Sequence, residues 1–422
     1  MPIKEKIYHA LKRSEKYTQT DNVYLVKGGF WLTSARIIVA LSSFLTAVAF
    51  ANLLAPELYG NFKYIISLVG FLSIFTLKGM STALTQAVSR GLEGGFYSVF
   101  KTKIKFTCLQ AAGLLILGGY YFFKANYVLA VPLFLIALLM PLRSGFSIIA
   151  SFLPGQKNFR LAAKYQGWQS IITAASLIAC LILFWRFPVG NLVIIFSLVA
   201  AYYASETICN GLFYRQIKKT LKPNKTEDPK TKKYGYHLTL INFLGQIIQY
   251  LDQILIFHSL GAVQLAAYSF ALLPVEKLKE PVQMVSALAL PKFSAKNPQE
   301  IKKNLLPKIL KLLLLTVAAI IIYWLIAPIV FKIFFPRYVG AIFYSQIFAI
   351  SLLGIGYLMA STALTGQMAI KKIYALEIPA AILDILLLVG GFYWLGILGI
   401  ILARVASEII RTIIGLVMIK KL

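Results

Sequence analysis

Long apolar runs separated by short polar connections recur along the chain. A hydrocarbon core roughly 30 Å thick needs about twenty helical residues to cross it. Windows of that length fall near 29–53, 60–86, 104–123, 126–152, 161–186 and 189–214, then near 236–259, 262–290, 305–331, 339–367, 373–394 and 396–419. The pattern predicts twelve transmembrane helices. Charge in the connections follows its own alternation. Odd-numbered connections are poor in basic residues: APELYG (55–60), HSLGAVQ (258–264) and WLGIL (394–398) have none, Lys124 and Arg186 stand alone, and only Lys332 and Arg337 make a pair. Even-numbered connections and both termini carry most of the rest, as at Arg90, Lys101, Lys103 and Lys105, at Lys157, Arg160 and Lys164, and at Lys371 and Lys372. Cytoplasmic loops are the ones enriched in Lys and Arg. Both termini are therefore expected on the cytoplasmic side of a cell membrane.

One window breaks the apolar rule. LLPVEKLKEPV (272–282) sets Glu276, Lys277, Lys279 and Glu280 between two prolines. If 262–290 turned back without crossing, every later connection would change sides, and Lys292, Lys296, Lys302, Lys303, Lys371 and Lys372 would lie outside. The segment is expected to cross, with its charges near mid-depth. At 100° per residue the four fall within an arc of about 160°, and the i,i+3 pairs Glu276–Lys279 and Lys277–Glu280 can partly neutralise each other. A self-neutralised structural patch and a substrate-facing site both fit.

Composition agrees with this class. Of 422 residues, 59% are hydrophobic and 14% charged, and mean hydropathy is +0.75, more than a soluble core absorbs. The formal net charge of +28 would suit a nucleic-acid binder, but lysines clustered between apolar spans suit a cytoplasmic membrane face better. No nucleic-acid partner is expected. Cys108, Cys180 and Cys209 lie in apolar segments and His9, His237 and His258 are scattered, so no disulfide framework, metal site or thiol catalysis is expected. The first apolar run follows a lysine-rich segment and is long enough to span, which argues against a cleavable signal peptide. Within residues 1–28, Ile3, Ile7 and Leu11 recur at i, i+4, i+8 beside Lys4, Lys6, Lys12 and Arg13. That spacing fits an amphipathic helix on the inner leaflet as well as a basic tail.

The basic connection 215–235 divides the spans six and six, giving an N-lobe over 29–214 and a C-lobe over 236–422. LLAPELYGNFKY (53–64) aligns weakly with SLGAVQLAAYSF (259–270), Gly60 against Ala266 and Phe62 against Tyr268. Six spans per half make this a parallel repeat about an axis along the membrane normal. Two helical lobes around an alternately opening cavity are expected.

These same residues carry a family resemblance. LLAPELYGNF (53–62) resembles the turn after the first span of the Wzx-type polysaccharide flippases, in the multidrug/oligosaccharidyl-lipid/polysaccharide exporter superfamily. YLDQILIFHSLGAVQLAAYSFA (250–271) resembles their span-seven signature. LALPKFS (288–294) is similar to the cytoplasmic end of their eighth span, and LGILGIILARVASEI (395–409) to their Gly-x-x-Gly approach to the last. The resemblance implies the twelve-helix fold of the multidrug exporters (MATE-like) and no enzymatic activity. Its implied cargo is a lipid-linked oligosaccharide, usually on polyprenyl diphosphate, moved for surface polysaccharide synthesis among membrane lipids and other polysaccharide-assembly proteins. Gln253 stands where the family often has a basic residue, and Arg404 where it commonly has a small polar one.

Ionisable groups at membrane depth are costly and should face protein or water. Arg36, Lys78, Arg143, Lys277, Lys279 and Arg404 are the candidate headgroup-binding cations, because Arg and Lys give phosphate charge-assisted hydrogen bonds. Arg36 and Lys78 have no acid on their own helix. Arg404 has Glu408 four residues on and Glu408 has Arg411 three beyond, so a local network competes there. Lys63, near the outer edge, is expected to snorkel. Asp252, Asp384, Glu206, Glu276, Glu280 and Glu377 are each either a coupling site for a proton or sodium ion or a partner for a basic residue. No other cofactor is expected. Tyr64, Tyr120, Tyr250 and Trp324 are either sugar-stacking rings or ordinary packing and interfacial anchors. The competing classes are a cation-coupled multidrug antiporter, whose first lobe should be acidic, and a fourteen-span peptidoglycan-precursor flippase. A glycan polymerase or ligase would need a large outer loop, and a membrane scaffold no mid-depth charge.

Overall fold

The structure is a computed structural model that describes residues 22–220, 223–241, 243–294, 298–366 and 370–420. The amphipathic helix expected before residue 22 lies outside the described residues. Apolar sequence with few helix breakers yields helix almost throughout, and no strand forms among the described residues. The helices are α1 (Asn22–Leu53), α2 (Pro56–Phe71), α3 (Lys78–Ser89), α4 (Gly95–Phe123), α5 (Tyr127–Phe146), α6 (Ile149–Gly155), α7 (Phe159–Arg186) and α8 (Asn191–Thr220). There follow α9 (Lys230–Ile241), α10 (Phe243–Leu260), α11 (Ala262–Ser294), α12 (Pro298–Phe334), α13 (Ile342–Ala349), α14 (Ile355–Gly366) and α15 (Ile370–Lys420). Asn126 and Asn158 start α5 and α7 by accepting from the backbone N–H groups of Leu129 and Leu161, the usual N-cap contact.

Nine helical segments among the described residues are long and apolar enough to cross a membrane, or ten if the bent pair Lys230–Leu240 and Gly245–Leu260 is one span. Their outer faces are oily, with Leu314 71% and Leu325 72% exposed, as lipid contact requires. The chain is a multi-pass membrane protein. The expected crossing at 262–290 falls outside that group because its four charges interrupt the apolar run. Yet α11 runs unbroken for 33 residues, about 50 Å at 1.5 Å per residue. LLPVEKLKEPV is therefore helix interior.

Two further differences from the expected spans are local. The crossing expected at 60–86 is divided by a 3₁₀ turn (Leu72–Thr76) and by Leu77 in the left-handed region at φ 51°. The spans expected at 373–394 and 396–419 appear as one element, α15, folded back at Gly396 (φ 58°, ψ −130°). A Cβ on Gly399 would lie 1.7 Å from the Gly391 carbonyl oxygen, so the two arms touch backbone to backbone and only glycine fits. Residues eight apart in a straight helix would be about 12 Å apart. The arms are antiparallel.

Contacts gather the chain into two compact units. The first comprises the described part of Met1–Ala49 together with Leu72–Phe243. Its core packs Met80, Leu84, Phe96, Phe152, Tyr165 and Ile217, with Tyr214 stacked on Phe96 at 5.2 Å. Here α9 lies against α3, and Thr239 Oγ1 accepts from the Gly79 N–H at 3.1 Å. The second comprises Phe50–Phe71 and the described part of Leu244–Leu422. Here α2 lies against α11, where a Cβ on Gly60 would sit 1.9 Å from the Ala262 carbonyl oxygen. The Phe270 ring stacks on Tyr338 and meets Tyr59 at a tilt. Compared with an even division of the sequence, α2 joins the second unit and α9 the first.

Candidate functional site

The first unit carries cations in excess. Arg143 sits in the last turn of α5, where a helix C-terminus favours positive charge. Its Nε donates to Glu206 Oε2 on α8 at 2.5 Å, and its guanidinium lies 5.3 Å from the centre of the Tyr203 ring. Glu206, one of the expected coupling acids, is thus the partner of Arg143. Lys78, at the start of α3, is exposed and close enough to Arg143 to feel its charge. Arg36 on α1 is also exposed. Neither Arg36 nor Lys78 has a carboxylate partner among the described residues.

Lys103 was expected in a cytoplasmic connection. Instead it lies within α4, 4% exposed, and its Nζ donates to Ser81 and Ser147 Oγ, each at 3.1 Å. The Thr107 hydroxyl lies 2.7 Å from the Lys103 carbonyl oxygen and 2.9 Å from Ser144 Oγ beside it. A charge held only by hydroxyls is expensive to bury.

In the second unit most of the candidate carboxylates meet a cation. Asp252 on α10 is fully buried; Arg404 Nη2 reaches its Oδ2 at 2.6 Å, the Tyr268 hydroxyl donates to the same oxygen, and the Gln253 N–H donates to Oδ1 at 2.8 Å. Lys63, expected to snorkel away, also feels the Asp252 charge. Asp384, on the first arm of α15, receives hydrogen bonds from Ser407 and both an Nε and an Nη2 contact from Arg411 on the second arm. Glu377 accepts from Ser361 at 3.3 Å.

On α11, Lys277 pairs with Glu280 at 2.7 Å, and Lys279 lies 3.5 Å from Glu276 and 3.6 Å from Glu408. The i,i+3 pairing read from the sequence is present. Around Arg404, where a local network was one of the readings, the pairs run between helices or between the arms of α15: Arg404 to Asp252, Glu408 to Lys279 and Arg411 to Asp384. Helical periodicity reveals neighbours on one helix, so these partners were not legible. Among the aromatic candidates, Tyr64 is buried against Phe257 with its hydroxyl 2.7 Å from His258, and Trp324 Nε1 donates to the Gln346 carbonyl at 2.7 Å.

Apolar helices of membrane-crossing length around partly buried ion pairs define a polytopic helical membrane protein. The fold resembles that of solved structures described as transporters of the MOP superfamily. It is similar to a lipid II flippase in an inward-closed conformation, with a TM-score of 0.68 at 15% identity over 94% of this chain and 87% of that one. It is also similar to an inward-facing MATE multidrug resistance transporter, with a TM-score of 0.64 at 12% identity over 93% and 97%. The sequence model of the polysaccharide biosynthesis protein family matches residues 25–280, more than half of the chain. The chain belongs to that family. A Shigella flexneri protein described as "Putative O-antigen transporter" is 24% identical over 332 residues, which is 74% of this chain and 77% of that protein.

Proposed function

We propose that this protein is a flippase for a lipid-linked oligosaccharide, carrying the sugar and its polyprenyl diphosphate from the inner to the outer leaflet for surface polysaccharide synthesis. The carrying observation is the family match, which runs through Arg36, Lys78 and Arg143. The Shigella flexneri relative supports the same cargo class. The chemistry agrees in sign: Arg36 and Lys78 are exposed, and among the described residues no carboxylate takes their charge. They attract the diphosphate while the prenyl tail stays in the bilayer. Arg143 is shared with Glu206, and Lys277, Lys279 and Arg404 have carboxylates of their own, so their part in headgroup binding requires exchange of partners.

The reading takes the chain as twelve crossings in two lobes with cytoplasmic termini. Adding α11 to the ten apolar spans, and counting the two arms of α15 as separate crossings, reaches that number. Alternating access moves the headgroup across. Coupling to a proton or sodium gradient through Asp252 or Asp384 requires Arg404 or Arg411 to let go. A multidrug cation antiporter needs an available acid in the first unit, but Glu206 is held by Arg143.

The test is double charge reversal, Arg36→Glu with Lys78→Glu. Translocation of a labelled lipid-linked sugar in proteoliposomes should fall to background while the protein inserts normally. Wild-type translocation by the double variant would sink the assignment. Running both proteins with and without a proton or sodium gradient reads the coupling ion.

A further inference from the structure

The connection between α8 and α9 is laid along the turn between α3 and α4. The Gly94 N–H donates to the Thr226 carbonyl at 2.8 Å, the Asn224 N–H to Glu93 Oε2 at 3.0 Å, and Asn224 Nδ2 to the Gly91 carbonyl at 2.9 Å. Arg90 Nη2 closes the set on Asp228 at 2.7 Å. Beside this seam, between the end of α3 and α9, is a cleft of about 1090 Å³ wholly within the first unit.

Its charge balance is positive. Arg90, Lys230 and Lys233 line it, and Asp228 is the one carboxylate among the lining residues. Asp228 is already engaged by one arm of the Arg90 fork and, at 2.9 Å, by the Lys230 N–H. Along α9 the side chains then change character in order. Lys230 and Lys233 come first, Tyr234 and Tyr236 next, and Leu240 last, 72% exposed. That order spans about 15 Å. It matches the passage through one leaflet from anionic phosphate, through the interface where tyrosines settle, to acyl chain.

We propose that this cleft binds an anionic, phosphate-bearing lipid headgroup. Arg90, Lys230 and Lys233 take the phosphate, Tyr234 and Tyr236 flank it, and Leu240 receives the first part of the tail. The ligand is either a bulk acidic glycerophospholipid or the polyprenyl diphosphate of a lipid-linked sugar; the phosphate chemistry is shared. The site stands on the first unit alone and does not depend on the proposed transport activity.

The test is native mass spectrometry of the intact chain in detergent, titrated separately with phosphatidylglycerol, phosphatidylcholine and undecaprenyl diphosphate. Wild type should retain phosphatidylglycerol or undecaprenyl diphosphate at least about tenfold more tightly than phosphatidylcholine. The advantage should collapse in Lys230→Gln with Lys233→Gln, and survive in Lys218→Gln with Lys219→Gln, exposed positions on α8 that do not line the cleft. Whichever anionic lipid displaces the other identifies the source. Three results would overturn the proposal: equal retention of anionic and zwitterionic lipid, an advantage untouched by the cleft variant, or an equal loss in the α8 control. Matching melting temperatures of the three proteins separate lost binding from lost folding.

Discussion

In the second unit Asp252, Asp384, Glu276, Glu280 and Glu408 each meet a cation, and two of those meetings join residues more than 100 positions apart. In the first unit Glu206 takes Arg143, while Lys103 is left to serine hydroxyls and Arg36 and Lys78 carry their charges without a carboxylate among the described residues. The paired carboxylates of the second unit meet cations of that same unit, whereas the first unit leaves these three cations without a carboxylate among the described residues. A surplus needs an anion to neutralise it, whereas a closed pair needs only its geometry. Under the proposed function, ligand attraction falls to the first unit and helix–helix fixation to the second.

The largest effect should come from opening a closed pair. Asp252→Ala leaves the half-buried Arg404 beside an empty position, with its Nε already lacking a partner. Breaking a buried pair from one side costs about 3–5 kcal/mol, so folded yield and melting temperature in detergent should fall sharply. Adding Arg404→Met should recover most of the loss, since well-packed apolar replacement of a buried pair is often neutral. No recovery in the double variant would mean that Tyr268 or Gln253, not the ion pair, makes the Asp252 carboxylate necessary.

A smaller effect is expected where the charge has no counter-ion. Lys103→Met removes a buried cation and leaves Ser147 its hydrogen bond to the Ser144 carbonyl. Relief of the buried charge offsets the lost hydroxyl contacts, so stability should change by no more than about 1 kcal/mol in a thermal or denaturant melt. A loss as large as that of Asp252→Ala would show that Lys103 has a structural counter-ion, and the contrast between the units would fail at its sharpest point.

Much of this architecture was legible from patterns local to a helix. Apolar runs marked the helices, the i,i+3 arithmetic found Lys277–Glu280 and Glu276–Lys279, and the glycines of LGILG marked the fold-back of α15. What was not legible depends on packing between helices. Lys103 looks like its neighbours Lys101 and Lys105 in sequence, yet only its side chain points at Ser81 and Ser147. Arg404 and Asp252 are 152 positions apart; no periodicity links them. The departure of Arg404 from the family's small polar residue was visible, and the carboxylate that compensates it was not.

The smallest effect should come from the stretch that first looked like a loop. The Lys277–Glu280 pair is open, with side chains 36% and 45% exposed, and pairs of that kind contribute about 0–1 kcal/mol. Lys277→Gln should therefore leave the melting temperature nearly unchanged. Its effect on translocation separates the two readings of α11. If the pair only steadies the helix, transport in proteoliposomes should remain near wild type while Arg36→Glu with Lys78→Glu abolishes it. If Lys277→Gln stops transport in a stable protein, Lys277 leaves Glu280 for the headgroup during the cycle. Charge at membrane depth in the second unit would then be held in reserve for the cargo, not spent on its own carboxylates.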